Sequence, residues 1–322
     1  MMKTDKIKFL AVILFMLAFI VVVPMVSSDY IQTVMNSALI YFIAALGISV
    51  MLGMGGQVSF ATSAFMGVGA FLTGIFSAKM GFHPLLSAVL SVILTGLFSW
   101  IMGLILFRLK GSYFTFATIA LVQIAYSVFL NWREVTGGPD GIPHIPGLDF
   151  GFFRAANVKE HFYIIAVIAF LCAMVVERMK RTSYGRSLAS VRDNEIAAQT
   201  LGVNVYRTKV ISFVIAGVFS AIAGVLIAHN NGFISASLFT FDQSTTYVIM
   251  VMLGGVASTP GSFFGALLVT MLPEWLRPLQ EYIRLIYGIS VMIMMVFMPM
   301  GIAGMVKAIS GKIKNPRKRE VN

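Results

Sequence analysis

The chain is a succession of long apolar runs separated by short polar intervals. Runs that approach the roughly 20 residues of a membrane-spanning helix predict an all-α polytopic integral membrane protein. A further run, 7–26, follows a basic start and precedes them. The others lie at 31–52, 58–78, 85–107, 113–132, 161–176, 210–228, 247–272 and 285–306.

The first run, 7–26, has two interpretations. A basic start with Lys3, Lys6 and Lys8, and a possible cleavage site at 26–28, would suit a cleaved signal peptide. The run is longer than the roughly 7–15 apolar residues of a signal peptide. We therefore favour a retained first span.

Lysine and arginine are concentrated in particular intervals, and this sets the expected orientation. The start, the turn near Arg108, the loop 177–209 and the tail 307–322 hold the excess positive charge, which predicts that they are cytoplasmic. The loop 133–160 is slightly acidic and is expected outside. We therefore predict a transmembrane domain over 1–306, a basic cytoplasmic tail over 307–322, and both termini in the cytoplasm.

The run 247–272 is interrupted in its middle by Ser258, Thr259, Pro260 and Gly261. If it crossed the membrane once, the basic tail would end outside, against the charge rule. We therefore interpret it as a re-entrant or broken helix. The expected total is about eight transmembrane helices plus this broken element.

Composition excludes several classes of protein. A content of 58% hydrophobic and 11% charged residues, with a mean hydropathy of +0.88, is too apolar for a soluble domain. The net charge of +11 lies at the ends of apolar runs, so we expect membrane lipid as a partner and no nucleic acid. The single cysteine, Cys172, excludes disulfides within the chain and cysteine metal sites, and we expect no metal.

The loop 177–209 contains a short predicted helix. Asp193 is placed to cap it, Glu195 lies in its first turn and Gly202 would stop it, which leaves about two turns over 194–201. Isolated helices of fewer than about 12–15 residues are unstable in water. Another protein is therefore expected to cover its apolar side chains, Ile196, Ala197 and Leu201.

The chain lacks recognisable machinery for driving transport. The middles of its apolar runs hold no Asp, Glu, Lys or Arg, which disfavours ion-coupled transport, although a sodium site made of backbone carbonyls stays open. A phosphate-binding GxxxxGK[ST] motif is absent, since Gly311-Lys312 is followed by Ile313. A pump of this kind would bind no cofactor itself and would depend on ATP hydrolysed by partner subunits.

A glycine-rich stretch at 53–63 is the best candidate for the lining of a translocation path. Its glycines could break a helix and expose backbone amides to a substrate carboxylate. A cytoplasmic turn capped by Ser and Thr explains the same residues equally well. The candidate residues are Gly55, Gly56, Gln57, Ser59, Thr62 and Ser63.

Two further polar features accompany this stretch. Gln123, Tyr126 and Asn131 form a weaker polar strip along the run 113–132. The segment 136–142 is dense in glycine and predicts a rigid turn, which is either only a tight turn or a contact for an external delivery protein. Its candidate residues are Gly137, Gly138, Asp140 and Gly141.

Several motifs occur together in a specific order. They are Gly53-Met-Gly-Gly-Gln-Val-Ser, Thr136-Gly-Gly-Pro-Asp-Gly-Ile, Tyr184-Gly-Arg-Ser-Leu, Arg192-Asp-Asn-Glu-Ile-Ala-Ala-Gln-Thr-Leu-Gly-Val-Asn204, Gly254-Gly255 and Pro299-Met-Gly-Ile-Ala-Gly304. With these motifs the chain resembles the M-type membrane subunits of bacterial branched-chain amino-acid ABC importers, over about 31–305.

The resemblance implies a heteromeric importer in the bacterial inner membrane. This chain would be a permease without an ATPase site, joined by a sister permease, two cytoplasmic ATPase subunits and an external substrate-binding protein. It also implies that Glu195, Ala198 and Gly202 lie on the coupling helix that contacts an ATPase. Gln199 stands where the family often has an acidic residue, and Pro139 where it often has Ser or Thr.

The expected substrate is leucine, isoleucine or valine, and three alternatives are retained. Related permeases that carry urea or short amides share these motifs. A stand-alone channel or ion-coupled carrier would need no ATPase. A membrane-embedded enzyme would need paired carboxylates or a histidine cluster within the spans, which the sequence does not show.

Overall fold

The computed structural model describes residues 28–109, 111–149, 155 and 157–275, together with 282, 285, 288, 289 and 292. The predicted first span at 7–26, most of the last predicted span and the predicted tail lie outside the described residues. The fold class of the prediction is confirmed, because the described residues form helices and no named strand.

Eleven α-helices are described. Their bounds are α1 Asp29–Ile48, α2 Thr62–Gly74, α3 Pro84–Leu106, α4 Ser112–Asn131, α5 Arg133–Thr136, α6 Val158–Lys180, α7 Ser183–Asp193, α8 Glu195–Thr200, α9 Val205–Asn231, α10 Phe241–Gly254 and α11 Thr259–Trp275. Two π-helical segments, Ser49–Met54 and Ile75–Lys79, extend α1 and α2. Short 3₁₀ turns occur at Gly138–Asp140 and Ala236–Phe239.

Five of the described helical segments are long and apolar enough to cross a membrane. They are Asp29–Met54, Pro84–Leu106, Ser112–Asn131, Val158–Lys180 and Val205–Asn231. The run predicted at 58–78 differs, because its first residues are irregular and its helix begins only at Thr62.

Helices α7 and α8 mark one end of the bundle, which we call the basic face. The end of α1 lies there, since the Arg192 guanidinium donates to the Gly53 carbonyl over 2.9 Å. At the opposite face Lys79 Nζ donates to the Glu134 carbonyl over 2.8 Å, and Ile142 pairs with Ile234. The long helices therefore connect these two ends of the bundle.

Helix α9 is the central helix, with α1, α2 and α3 packed against it. Small residues permit this close packing. A Cβ atom on Gly224 would lie 2.0 Å from the Met66 carbonyl oxygen of α2, and one on Gly217 would lie 2.5 Å from Ser99 Cβ of α3. The α3 hydroxyls facing inward bond back to their own helix, as Thr95 does to the Ser91 carbonyl over 2.7 Å.

The predicted broken element is a pair of antiparallel helices, α10 and α11. Gly254 lies against Gly261, and Met250 lies against Gly265, so the two helices run side by side in opposite directions. The break falls at 255–258, slightly earlier than predicted, because Pro260 occupies the second position of α11, where a helix tolerates proline. The Ser49 hydroxyl donates to the Val256 carbonyl over 2.9 Å and fastens this turn to α1.

We expect Gly224→Ala to separate α9 from α2, because its new methyl group would overlap the Met66 backbone. Overpacking of this kind costs about 1–3 kcal/mol. Thermal unfolding of the purified protein in detergent measures the loss. Gly96→Ala is the matched control, since its Cβ would meet only the flexible Val218 side chain at 3.2 Å. Equal unfolding temperatures for the two variants would contradict this account of the packing.

Candidate functional site

The glycine-rich stretch forms an irregular connection between α1 and α2. The end of α1 widens into the π-helical turn Ser49–Met54, and the chain then runs without regular structure over 56–60. Gly56 has a φ of +68°, and a Cβ atom there would lie 2.6 Å from Arg192 Cγ. Glycine is therefore required at this position both by the backbone and by the neighbouring arginine.

Hydroxyl groups from two other helices hold this irregular backbone. Ser244 of α10 donates to the Phe60 carbonyl over 2.6 Å and accepts from the Ser63 amide over 3.0 Å. Thr118 of α4 accepts from the Phe60 amide over 3.1 Å, and Thr115 donates to the Val58 carbonyl over 3.1 Å. Irregular backbone within a membrane protein needs such partners, because lipid offers none.

The predicted path residues lie on two sides of this connection. Ser59, Thr62 and Ser63 are buried, and the Ser59 hydroxyl accepts from the Ala61 amide over 3.2 Å, although no Ser or Thr side chain caps α2, whose N-cap residue is Ala61. Gly56 is exposed, whereas Gly55 is buried. The structure therefore does not bring all six residues to one surface.

Gln57 has an unusual environment. Both polar atoms of its side-chain amide are buried, and neither has a hydrogen-bond partner within the described chain. It borders a cavity of about 10 Å³, close to the space of one water molecule. Ser59, Thr62, Phe213 and Ser220 also line this cavity. An unsatisfied buried amide beside polar side chains marks a place where a polar group can bind.

The short predicted helix is present as α8, with one correction to its cap. Asn194, and not Asp193, caps it, since the Asn194 side chain accepts from the Ala197 amide over 3.0 Å. Asp193 instead ends α7 and forms an ion pair with Arg192 at 2.9 Å. Gly202 has a φ of +84° and stops the helix, as predicted.

The side chains of α8 and of Leu201, the residue at its C-terminal cap, divide into two that hold the helix and several that are exposed. Ala198 is buried against its own chain, and Glu195 pairs with Lys209 at the start of α9. Ile196 is 77% exposed and Leu201 is 81% exposed, and Ala197 is exposed as well. Two large apolar side chains therefore project from the basic face without a partner in the described chain.

Helix α7 supports α8 and connects it to the glycine-rich stretch. The Tyr184 phenol donates to the Thr208 carbonyl over 3.0 Å, and burial raises the pKa of Tyr184 above its ordinary range. At the other end of α7, Arg192 contacts both Gly53 and Gly56. No pattern in the sequence indicates this role of Arg192, because its contacts are with residues more than 130 positions earlier in the chain.

A second polar cluster holds the turn between α10 and α11 at the basic face. Lys180 Nζ donates to Glu177 Oε1 over 2.7 Å and to Thr259 Oγ1 over 2.8 Å. Thr259 Oγ1 also donates to Glu177 Oε1 over 2.5 Å. The end of α6 is thereby fixed to the first residue of α11.

The glycine-dense motif at the opposite face packs tightly on another connection. A Cβ atom on Gly141 would lie 2.0 Å from the Ile234 carbonyl oxygen, and the Ile142 amide donates to that carbonyl over 2.9 Å. Gly137 and Gly138 also have positive φ angles. The tight-turn interpretation thus accounts for the glycines, and Asp140 remains exposed at the surface.

The fold and these sites define an α-helical membrane protein with a short exposed helix at its basic face. The chain belongs to the family described as branched-chain amino acid transport system / permease component, whose model matches residues 30–298. It is thus a permease of the ABC transporter class, found in membranes, whose complexes include ATPase and permease subunits.

Curated relatives agree with this assignment and also show its breadth. The high-affinity branched-chain amino acid transport system permease protein LivM of Salmonella typhimurium is 28% identical over 91% of this chain and 75% of its own length. The fructose import permease protein FrcC of Rhizobium meliloti is 27% identical over 68% of this chain and 63% of its own length. The autoinducer 2 import system permease protein LsrC of Klebsiella pneumoniae is 32% identical over 29% of each chain. No solved structure matches the chain.

We expect Ser244→Ala to destabilise the protein, because it leaves the Phe60 carbonyl and the Ser63 amide without their shared partner. Such a loss costs about 1–3 kcal/mol for a buried group. The measurement is thermal unfolding in detergent, compared with Thr245→Val. Thr245→Val is the control because, in the described part of the chain, the Thr245 hydroxyl donates to the Phe241 carbonyl of its own helix turn. The same unfolding temperature for both variants would show that the irregular connection does not depend on Ser244.

Proposed function

We propose that this chain is the permease subunit that supplies half of the translocation path of an ATP-driven importer for leucine, isoleucine or valine. The observation that carries the proposal is α8, which presents two exposed apolar side chains at the basic face of a family member. The relatives named for branched-chain amino acid transport, which align over nearly the whole chain, support the substrate class.

Helix α8 has the properties of a docking element for an ATPase subunit. It is only six residues long, and it is seated on its own chain by Ala198 and by the pair Glu195–Lys209. Burial of the exposed Ile196 and Leu201 side chains in a groove of another protein would contribute a favourable free energy of about 1.5–3 kcal/mol for each. ATP hydrolysis by two cytoplasmic subunits would then supply the energy, and this chain would bind no nucleotide or other cofactor.

Arg192 supplies a direct connection from this docking element to the membrane segment. It lies two residues before the cap of α8, and it contacts the end of α1 and Gly56. A displacement of α8 would therefore reach the glycine-rich connection without an intervening flexible segment. The unsatisfied Gln57 amide, which follows Gly56, is the group on this connection that we assign to the path.

The remaining assignments follow from this orientation. The basic face would lie in the cytoplasm of a bacterial cell, with both termini, and α8 would meet the ATPases there. The opposite face, including Asp140, would meet an external substrate-binding protein. A sister permease would complete the path, so the working complex is a heterodimer of permeases with two ATPases.

Uptake measurements test the substrate. Cells that express this chain with its ABC partners should accumulate labelled leucine, and excess isoleucine or valine should compete while urea, acetamide and fructose should not. Competition by urea or acetamide, without competition by valine, would replace the amino-acid assignment with the amide alternative. Uptake by purified chain alone in liposomes would overturn the ATP-driven mechanism.

We expect Leu201→Asp to abolish recruitment of the ATPase subunits, because a carboxylate would replace the most exposed apolar side chain of α8. Membrane insertion should be unchanged, since this side chain contributes little to the packing of the chain itself. Co-purification of the ATPases with the tagged permease is the measurement. Met80→Asp, 58% exposed at the opposite face, is the matched control. Normal ATPase recovery with Leu201→Asp would remove α8 from the docking surface.

Arg192→Ala should reduce transport while leaving the docking of the ATPase subunits unchanged. The ATPases should still co-purify, whereas uptake should fall about tenfold or more, because a hydrogen bond from a charged group is worth roughly 1.5–3 kcal/mol. Arg186→Ala is the control, since this guanidinium donates to the Arg181 carbonyl within its own loop. Unchanged uptake with Arg192→Ala would mean that the motion takes another route.

A further inference from the structure

The outward faces of the membrane helices differ in polarity. Every exposed residue of α3 is apolar, and so are the exposed positions in the middle of α6, apart from the aromatic Tyr163. Faces of this kind suit lipid. Helix α4 is different, because its exposed residues include polar ones: Ser112, Gln123, Ser127 and Asn131.

The polar residues of α4 lie on one line along the helix. Phe116, Ala120, Gln123, Ser127 and Asn131 are separated by three or four positions, which places them on one face. Gln123 is near the middle of the helix, where a lipid-exposed amide would have no hydrogen-bonding partner. This face therefore requires water or a polar surface next to it.

The polar positions on this line are Ser112 at the start of α4 and Gln123, Ser127 and Asn131 in its second half, with the apolar Phe116 and Ala120 between them. Ser112 is exposed at the first residue, and Asn131 is exposed at the last, where its amide donates to the Ser127 carbonyl over 2.8 Å. A water-free contact with one neighbouring helix would need polar groups at only one depth in the membrane. Gln123, Ser127 and Asn131 form a polar face that runs from the middle of α4 to the opposite face, which is what one half of a water-filled route across the membrane needs.

The same surface joins the glycine-rich connection. The Thr115 hydroxyl of α4 donates to the Val58 carbonyl, and Val58 is itself partly exposed. The internal cavity beside Gln57, in contrast, has about 10 Å³, which is too small for an amino acid. That cavity alone therefore does not hold the solute, and the outward face of α4 is a further surface that can line the route.

We propose that the outward face of α4 forms one wall of the solute path, and that the second permease chain closes the other side. This inference rests on the proposed function and refines it. The polar line of Gln123 and Ser127 is flanked by the exposed apolar side chains Phe116, Ile124 and Val128. Such a mixed surface fits a solute with a charged head and an aliphatic side chain.

Thiol labelling distinguishes a watery face from a lipid face. The chain has one cysteine, Cys172, which is buried, so Cys172→Ser gives a background without reactive thiols. Gln123→Cys and Ser127→Cys are made in this background, with Leu97→Cys of α3 and Val167→Cys of α6 as exposed controls. Each variant is expressed with its ABC partners, and membranes are treated with a charged, membrane-impermeant methanethiosulfonate.

Cysteines at 123 and 127 should react about tenfold faster or more than those at 97 and 167, because the reactive thiolate forms in water and not among lipid tails. Elution of the solubilised variants on size exclusion checks that they fold, and Ser127→Cys changes only one atom. Equally slow reaction at all four positions would overturn the proposal. Slow labelling would reject the role of α4 without changing the results of the co-purification and uptake tests. A failure of this proposal can therefore be distinguished from a failure of the proposed function.

Discussion

The structure depends on the requirement that every backbone amide and carbonyl inside a bundle has a partner. The Ser244 hydroxyl meets this requirement for two groups at once, the Phe60 carbonyl and the Ser63 amide. Because Thr115 and Thr118 serve their neighbours in the same way, the chain can be irregular between α1 and α2 within a helical bundle. The unsatisfied amide of Gln57 follows from this irregularity, since a continuous helix would not place it beside a cavity.

Close helix packing, like the irregular connection, reflects the apolar environment of the membrane. Lipid gives helices no hydrophobic reason to associate, so contact depends on small residues that let backbones approach. Gly224 and Gly217 place α9 against α2 and α3, and Gly254 and Gly261 close the α10–α11 pair. The turn of that pair then reaches Ser49 and Glu177, which joins three elements at the basic face. Arg192 reaches Gly53 at the same end, beside the exposed α8.

Sequence reasoning predicted the fold class and several local features, for reasons that are visible in single segments. The helix around Ile196 needs only a capping residue and a glycine stop, and a proline after a small-residue stretch indicates a break near 258. Where it was wrong, the competing residue was adjacent: Asn194 caps α8, and Asp193 pairs with Arg192 instead. A cap is chosen by backbone geometry, which adjacent Asp and Asn do not reveal.

The sequence by itself determined that this chain is a helical membrane protein of the permease family, because spanning length, charge position and ordered motifs are properties of the chain read in order. Only the tertiary structure decided which of the residues at 55–63 are buried, that Arg192 meets Gly53, and which face of α4 the described residues leave uncovered. The physical reason is distance along the chain. Burial and partners at these positions come from distant helices, since Thr118 is 58 positions from Phe60 and Ser244 is 181 positions from Ser63, and no local pattern encodes such contacts.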